Sequence, residues 1–184
     1  MIDKPPRKPD NIHTAFRTLN LEDLRFMPDI RILFICHGNI CRSPMAEFFM
    51  KDLVKKQRLA DRFEIASAAT SSEELGNPVH PGTRRKLSEV GISCKGKYAR
   101  RMTVQDYRDY DLLIGIDETN MRNMRRIVGG DPDGKMIKLL SFCGEGSDVA
   151  DPWWTGNFED TYRDVKRGCE ALLAHLCKEN GWKL

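Results

Sequence analysis

Residues 31–44 read RILFICHGNICRSP, and this stretch decides the fold. Its first part, 31–35, is a short apolar run rich in β-branched side chains, which predicts a strand buried on both faces. Residues 36–42 then form a polar loop, and Ser43 and Pro44 fit the N-cap and the first position of a helix. Apolar side chains recur every three or four residues after them, which predicts a helix with one buried face.

The rest of the chain alternates between strand and helix patterns. Apolar runs predict three further strands, at 63–68, 112–116 and 136–140. Helical patterns predict three further helices, at 83–90, at 118–127 and after the candidate caps Asn157 and Asp160. This alternation predicts an α/β domain with a parallel sheet covered by helices on both faces. Such sheets bind ligands beyond the carboxyl ends of their strands, where the loop at 36–42 lies.

The bulk composition fits one globular domain with its own core. The chain has 184 residues, of which 40% are hydrophobic and 31% are charged. Because 30 Lys and Arg residues nearly balance 27 Asp and Glu residues, the charge does not indicate a nucleic-acid partner. No apolar run approaches the roughly 20 residues that span a bilayer, and the charged, proline-rich start lacks a signal-peptide core. We expect a cytoplasmic protein without a membrane partner, with an N-terminal extension at 1–28 and the domain at 29–184.

The cysteines and histidines do not indicate a metal site. The six cysteines are Cys36, Cys41, Cys94, Cys143, Cys169 and Cys177. In the absence of a secretory signal, free thiols are a better expectation than disulfides. No Cys-x-x-Cys pair occurs and the four histidines are scattered, so we expect no structural zinc, and the sequence indicates no cofactor.

Cys36 and Arg42 carry the chemistry of the loop. The thiolate is the reactive form of cysteine, and inward-pointing backbone N–H groups, the following helix dipole and the Arg42 charge all favour it. The planar guanidinium can also bind two phosphoryl oxygens at once. Gly38 and Asn39 tolerate a tight backbone, and Ser43 can donate a hydrogen bond to the sulfur. The combination predicts a phosphate-binding loop with Cys36 as the nucleophile.

The spacing alone is a weak signal, because Cys94 and Arg100 repeat the same Cys-x5-Arg pattern. That copy lacks a preceding apolar strand and a following helix cap, so we interpret it as a coincidence. Residues 91–98 likewise fall one residue short of a nucleotide-binding phosphate loop, and they follow a helix instead of a strand. Only the Cys36 segment combines the motif with its required strand and helix.

Six motifs follow one another along most of the chain: CHGNICRSPMAE at 36–47, SAAT at 67–70, GNP at 76–78, AR at 99–100, DETN at 117–120 and DPWW at 151–154. In order and spacing they resemble the low-molecular-weight protein tyrosine phosphatase family. The resemblance implies a three-layer sandwich with a four-stranded parallel sheet, and metal-independent hydrolysis of phosphotyrosine through a phosphocysteine intermediate. It implies that Cys36 is the nucleophile, that Arg42 binds the phosphoryl oxygens and that Asp151 is the general acid. Three further residues would hold the loop in shape: Asn39, Ser43 and Ser67.

The role implied for Asp151 also makes chemical sense. Expulsion of a tyrosyl oxygen requires a proton, which a positioned carboxyl group can supply. The same group, once ionised, can activate water against the phosphocysteine. The alternative interpretation is an ordinary turn, since Asp-Pro pairs commonly occur in turns.

The expected substrate is a phosphotyrosine protein or a small aryl phosphate. Trp153 and Trp154 are expected to line the mouth of the cleft and stack on a phenyl ring, unless one or both belong to the core. The bulky Ile40 suits a flat ring, whereas family members that act on phosphoarginine tend to carry a small polar residue there. The substrate-binding residues implied by the resemblance are His37, Gly38, Asn39, Ile40, Cys41, Ser43, Trp153 and Trp154.

Three other functions stay open. A protein-arginine phosphatase shares the loop, and a thioredoxin-coupled arsenate reductase would need a closely spaced pair of further cysteines that Cys41 does not supply. A non-catalytic phosphate-binding module would be expected to lack the nucleophile, the arginine or the acid.

Cys41 itself has two interpretations: a partner in a reversible disulfide that protects Cys36 from overoxidation, or a reduced buried cysteine.

Overall fold

The predicted strand at 31–35 forms β1 (Ile30–Cys36), an inner strand of a four-stranded sheet. It pairs in parallel with β2 (Phe63–Ala69) on one side and with β3 (Leu112–Gly115) on the other. The edge strand β4 (Met136–Lys138) pairs in parallel with β3. The order β2-β1-β3-β4 confirms the predicted α/β class and its four-stranded parallel sheet.

The computed structural model describes residues 28–183. The predicted N-terminal extension at 1–28, apart from Pro28, therefore lies outside the described residues. Of the helices within 28–183, none has the length and apolar character that crossing a bilayer would require.

The described chain has six α-helices: α1 (Arg42–Lys56), α2 (Pro81–Glu89), α3 (Val104–Asp109), α4 (Glu118–Val128), α5 (Pro152–Thr155) and α6 (Phe158–Asn180). Sequence patterns predicted the four longer ones, whereas α3 and α5 are too short to show a helical period. Asn157 caps α6 as predicted, because its side chain accepts hydrogen bonds from the N–H groups of Glu159 and Asp160. The capping role predicted for Asp160 is wrong, since that residue lies inside the first turn.

The side chains of β1 alternate between two cores, which explains why the whole strand is apolar. Ile32 and Phe34 belong to the cluster that α1 and α6 form on one face of the sheet. Leu33 and Ile35 belong to the cluster that α3 and α4 form on the other face. All four side chains are fully buried, so the sheet is the middle layer of a three-layer sandwich.

The strand predicted at 136–140 is too long. β4 ends at Lys138, and Leu139 and Leu140 begin a 3-10 helix (Leu139–Cys143) in which both are fully buried. They leave the sheet to pack against α6, where Gly168 makes room: a Cβ atom at Gly168 would lie 2.6 Å from Leu139 Cγ. The apolar pattern indicates burial but does not distinguish a strand from a helical turn.

The register of the sheet brings two functional segments to one edge. Ile35 lies opposite Gly115, so β1 and β3 end side by side. Cys36 is the last residue of β1, and Asp117 follows the end of β3 and caps α4. The starts of α1 and α4 therefore meet at the carboxyl edge of the sheet, as the sequence pattern predicts for a ligand site.

Candidate active site

The Cys36 side chain lies at the centre of the loop between β1 and α1. Its sulfur is 3.0 Å from Ser43 Oγ and accepts a hydrogen bond of 3.3 Å from the backbone N–H of Asn39. Only 3% of the residue is exposed. These two polar contacts hold the buried sulfur at the centre of the loop.

Ser43 does not cap the helix, so that prediction is wrong. α1 begins at Arg42, and Cys41 occupies the N-cap position without a side-chain hydrogen bond. Ser43 is the second residue of the helix, and Pro44 is the third instead of the first. The Ser43 hydroxyl contacts the Cys36 sulfur instead, which is the other role that the sequence offered for it.

Asn39 holds the loop in its shape from the inside. Its φ of 58° is in the left-handed region, and the residue is completely buried. The side-chain amide donates to Ser43 Oγ at 2.9 Å and to Ser67 Oγ at 2.7 Å, while its oxygen accepts from the N–H of Arg100 at 3.2 Å. Because Ser43 Oγ accepts from the amide, its own hydrogen is free to point at the Cys36 sulfur.

Gly38 provides space and not a left-handed turn. Among the described residues the positive φ of this loop falls on Asn39. A Cβ atom at Gly38 would lie 3.0 Å from Cγ of Glu74, so a larger residue would push on the segment that packs over the loop.

A buried ionic group lies behind Ser67. The Ser67 hydroxyl donates to Glu47 Oε2 at 2.5 Å, and Glu47 forms ion pairs with Lys97 at 3.0 Å and with Lys51 at 2.5 Å. Glu47 is only 4% exposed. Burial alone would raise the pKa of Glu47, but Lys97, Lys51 and Ser67 together lower it below its ordinary value. Lys97 also donates to the backbone oxygen of Ser67 at 2.9 Å, so both ends of Ser67 are fixed.

Arg42 lies between two carboxylates. Its Nη1 is 2.6 Å from Asp117 Oδ2 and its Nη2 is 2.7 Å from Asp151 Oδ2. Burial alone would lower the pKa of Arg42, but the neighbouring Cys36, Asp151 and Asp117 raise it above its ordinary value. The guanidinium is thus charged and held in one plane, and it lines the same cleft as Cys36.

Helix starts hold both carboxylates in place. Asp117 caps α4 through a hydrogen bond of 2.6 Å from the N–H of Asn120. Asp151 caps α5 through a hydrogen bond of 3.1 Å from the N–H of Trp153. Each residue uses Oδ1 for its cap and turns Oδ2 to Arg42. The Asp-Pro pair is thus a helix start and not only a turn.

A cleft of about 440 Å³ opens in front of Cys36 and Arg42. Asp151, Trp153 and Trp154 line it, together with the other predicted substrate-binding residues except Asn39 and Ser43. The two tryptophans are 59% and 82% exposed, so neither belongs to the core. Asn39, Ser43 and Ser67 lie behind the loop, in the positions expected of supporting residues.

The remaining predicted loop residues differ in exposure. His37 points outward, and its Nε2 is 2.8 Å from Glu73 Oε2 at the mouth of the cleft. Cys41 is buried, and burial, with added contributions from Cys36 and Asp151, raises the pKa of its thiol to about 12. Cys36 and Cys41 are both free thiols, and the disulfide between them stays a hypothesis.

Several residues at the site had no role assigned from the sequence, among them Glu47, Lys97, Asp117 and Asn120. Asp117 could have been found, because it follows a predicted strand at the same sheet edge as Cys36. Lys97 and Glu47 meet only through tertiary packing, so no local pattern indicates their contact. The side-chain amide of Asn120 is fully buried, lines the cleft and has no hydrogen-bond partner within residues 28–183. Within the same residues, no group of three or more His, Cys, Asp or Glu side chains is placed to hold a metal ion.

Comparisons with known proteins agree on one family. A family model described as low molecular weight phosphotyrosine protein phosphatase matches residues 31–181. YfkJ of Bacillus subtilis, a low molecular weight protein-tyrosine-phosphatase, is 41% identical over 152 residues, which cover 82% of this chain and 97% of the relative. Its crystal structure gives a TM-score of 0.78 at 42% identity, with 82% of this chain and 96% of the other covered.

Two further relatives carry different substrates in their names. PtpA of Staphylococcus aureus, a low molecular weight protein-tyrosine-phosphatase, is 35% identical and covers 84% of this chain and 98% of its own length. The crystal structure of DARP, a drosophila arginine phosphatase, gives a TM-score of 0.71 at 29% identity, with 79% of this chain and 96% of the other covered.

The substitution Glu47→Gln tests the buried ionic group. It leaves Lys97 without its buried counter-charge, so we expect the free energy of unfolding, measured with urea at about pH 7, to fall by about 3 kcal/mol. The ionised Glu47 stabilises the fold above its unfolded pKa of 4.5, and this contribution is lost as pH falls through the lower folded pKa. The difference between the two proteins should therefore shrink as the pH is lowered below 4.5.

Glu89→Gln is the matched control, because Glu89 pairs with Lys86 at the surface and its side chain is 52% exposed. That change should cost less than about 1 kcal/mol. A loss at Glu47→Gln as small as the control, or one that does not change with pH, would contradict the assignment.

Proposed function

The chain belongs to the low-molecular-weight phosphotyrosine protein phosphatase family, and from that premise we propose that it hydrolyses phosphotyrosine through a phosphocysteine on Cys36. One observation carries the residue assignment. The sulfur of Cys36, the guanidinium of Arg42 and the carboxyl group of Asp151 share one cleft, with Arg42 and Asp151 in direct contact. These are the nucleophile, the oxyanion-binding group and the acid that the reaction requires.

The first step transfers the phosphoryl group to sulfur. The Cys36 thiolate attacks phosphorus, the bond from phosphorus to the tyrosyl oxygen breaks, and protonated Asp151 gives its proton to the leaving oxygen. Arg42 and the backbone N–H groups of the loop stabilise the charge on the transferring group. Ser43 and the N–H of Asn39 contact the sulfur before attack, so they hold the nucleophile in position.

The second step returns the enzyme to its starting state. Asp151, now ionised, takes a proton from a water molecule, whose oxygen attacks phosphorus and breaks the bond to sulfur. Inorganic phosphate leaves, and Cys36 is again a thiolate. Asp151 thus serves as acid and then as base at the same position.

The contacts of Arg42 support a division of labour between the two carboxylates. A phosphoryl group that binds Nη2 takes the place that Asp151 Oδ2 occupies at 2.7 Å. Asp151 is then free to face the leaving oxygen. Asp117 remains on Nη1 and keeps the guanidinium in the plane that suits two phosphoryl oxygens. In this account Asp117 is a positioning residue.

The walls of the cleft favour an aromatic phosphate ester. Ile40 lines the cleft with an apolar side chain, and Trp153 and Trp154 present exposed rings at its mouth. A flat phenyl ring can stack on such rings, which favours a phosphotyrosine protein or a small aryl phosphate as the substrate. The names of YfkJ and PtpA support the same substrate class.

Phosphoarginine is the second candidate substrate, because Glu73 and Glu74 also line the cleft and would attract a cationic group near its mouth. DARP shows that this fold also occurs in a protein described as an arginine phosphatase. Arsenate reduction is less well supported, since Cys169 and Cys177 are buried in α6 and would not form a mobile relay. The domain boundary at residue 29, the cytoplasmic location and the absence of a cofactor stay predictions.

Release of phosphate from two matched peptides tests the function. One peptide carries phosphotyrosine and the other phosphoarginine at the same position, and both are assayed with a metal chelator present. We expect turnover of the phosphotyrosine peptide, and a loss of about 10⁴-fold or more in Cys36→Ser. Cys94→Ser is the control, because Cys94 has the same Cys-x5-Arg spacing but lies outside the cleft. Turnover that survives in Cys36→Ser would overturn the mechanism, and faster release from phosphoarginine would overturn the substrate class.

A comparison of Asp151→Asn with Asp117→Asn distinguishes the general acid from the second carboxylate that contacts Arg42. For phenyl phosphate, whose leaving group is poor, kcat/KM should fall by about 10²- to 10⁴-fold, because the leaving oxygen must be protonated. For p-nitrophenyl phosphate, whose leaving group is good, the loss should be smaller. Asp117→Asn also removes a carboxylate from Arg42 but no acid, so its losses should be similar for both esters. Equal losses for the two esters in Asp151→Asn would exclude Asp151 as the acid.

A further inference from the structure

A second cleft, with a volume of about 470 Å³, lies between α2 and the segment 91–98. It shares no lining residue with the catalytic cleft. Three of its lining side chains are cationic: Arg84, Lys95 and Lys97. No Asp or Glu is among its lining residues within the described chain. A concave surface with one sign of charge concentrates ions of the opposite sign.

Two of these cations are available to a ligand. Arg84 and Lys95 are exposed, and neither forms an ion pair with a carboxylate of residues 28–183. Both side chains line the cleft, so both can reach a ligand inside it.

The third cation is fixed before any ligand arrives. Lys97 Nζ is held at 3.0 Å from Glu47 and at 2.9 Å from the backbone oxygen of Ser67, and its side chain is only 12% exposed. Glu47 compensates part of this charge but also pairs with Lys51, so Glu47, Lys51 and Lys97 together carry a net positive charge. A cation already ordered in this way loses little conformational entropy when an anion binds.

The lining of the cleft also includes apolar side chains. An isolated β-bridge joins Pro78 to Tyr98, and Val79 and Ile92 are buried beside it. The Tyr98 ring is 60% exposed and is free to contact a ligand. A volume of this size fits a small organic molecule and exceeds what a single phosphate ion fills. The lining thus offers cationic side chains to an anionic group and apolar side chains to an organic portion.

We propose that this cleft is a second anion site, which binds the phosphoryl group of a small organic phosphate against Arg84, Lys95 and Lys97. The organic part of the ligand packs on Tyr98 and the other apolar lining residues. The site is separate from the catalytic cleft and does not depend on the roles assigned to Cys36 or Asp151.

A titration of the full-length, isotope-labelled protein with phenylphosphonate, followed by amide resonances, tests the proposal. This probe resists hydrolysis because it has no ester bond, and the amide resonances report each cleft separately. We expect shifts at residues 93–97 as well as at 37–41. In the double variant Arg84→Gln with Lys95→Gln, affinity at 93–97 should fall about tenfold or more, while affinity at 37–41 stays unchanged. The spectrum of the variant also shows directly that it is folded.

Lys55→Gln with Arg58→Gln is the matched control, because it removes two exposed cations near the end of α1 that do not line the cleft. It should leave both affinities unchanged.

Inorganic phosphate, added in a parallel titration, should bind residues 93–97 more weakly than phenylphosphonate. Equal or tighter binding would overturn the claim that the organic part of the ligand contributes to affinity. Benzyl alcohol, which is uncharged, should not shift residues 93–97. Shifts confined to 37–41, equal shifts with benzyl alcohol, or unchanged affinity in the Arg84 and Lys95 variant would each overturn the proposal.

Discussion

The side chain of Asn39 is the contact on which the rest of the site depends. Its left-handed backbone turns the loop around the Cys36 sulfur. Its completely buried side-chain amide forms hydrogen bonds with Ser43, Ser67 and the backbone N–H of Arg100. One residue thereby joins the phosphate loop to β2 and to the segment that follows Lys97. Asparagine tolerates this backbone better than most residues, and in a buried position each of its polar atoms needs a partner. Glu47 and Lys97 continue the same network behind Ser67.

The charged groups in front of the loop are arranged differently from the hydrogen-bonded groups behind it. Behind Cys36 the hydrogen bonds are fixed, whereas in front Arg42 contacts two carboxylates, of which a ligand can replace Asp151. A buried guanidinium needs counter-charges, and Asp117 and Asp151 supply them. A bound phosphoryl group would take over the part of Asp151.

Much of this architecture could be predicted from the sequence, and the exceptions have physical reasons. In the segment from Ile32 to Arg42, the strand pattern, the loop motif and the start of the helix all predict the same local structure. Ser43 looks like a cap because serine often caps helices, but the nearby sulfur is a partner that only the folded loop supplies. α5 has too few residues to show a period, and the Lys97–Glu47 pair joins residues that are distant in the sequence.

Detection of a phosphoryl group on Cys36 during turnover tests the central claim most directly. Asp151→Asn protein is mixed with p-nitrophenyl phosphate, whose good leaving group lets the first step proceed while loss of the base slows the second. After a rapid quench in alkaline denaturant and digestion, mass spectrometry should find a phosphoryl group on the peptide that carries Cys36 and not on the peptide that carries Cys94. Release of nitrophenol with no phosphoryl group on Cys36 at any quench time, or a phosphoryl group on another residue, would contradict the account.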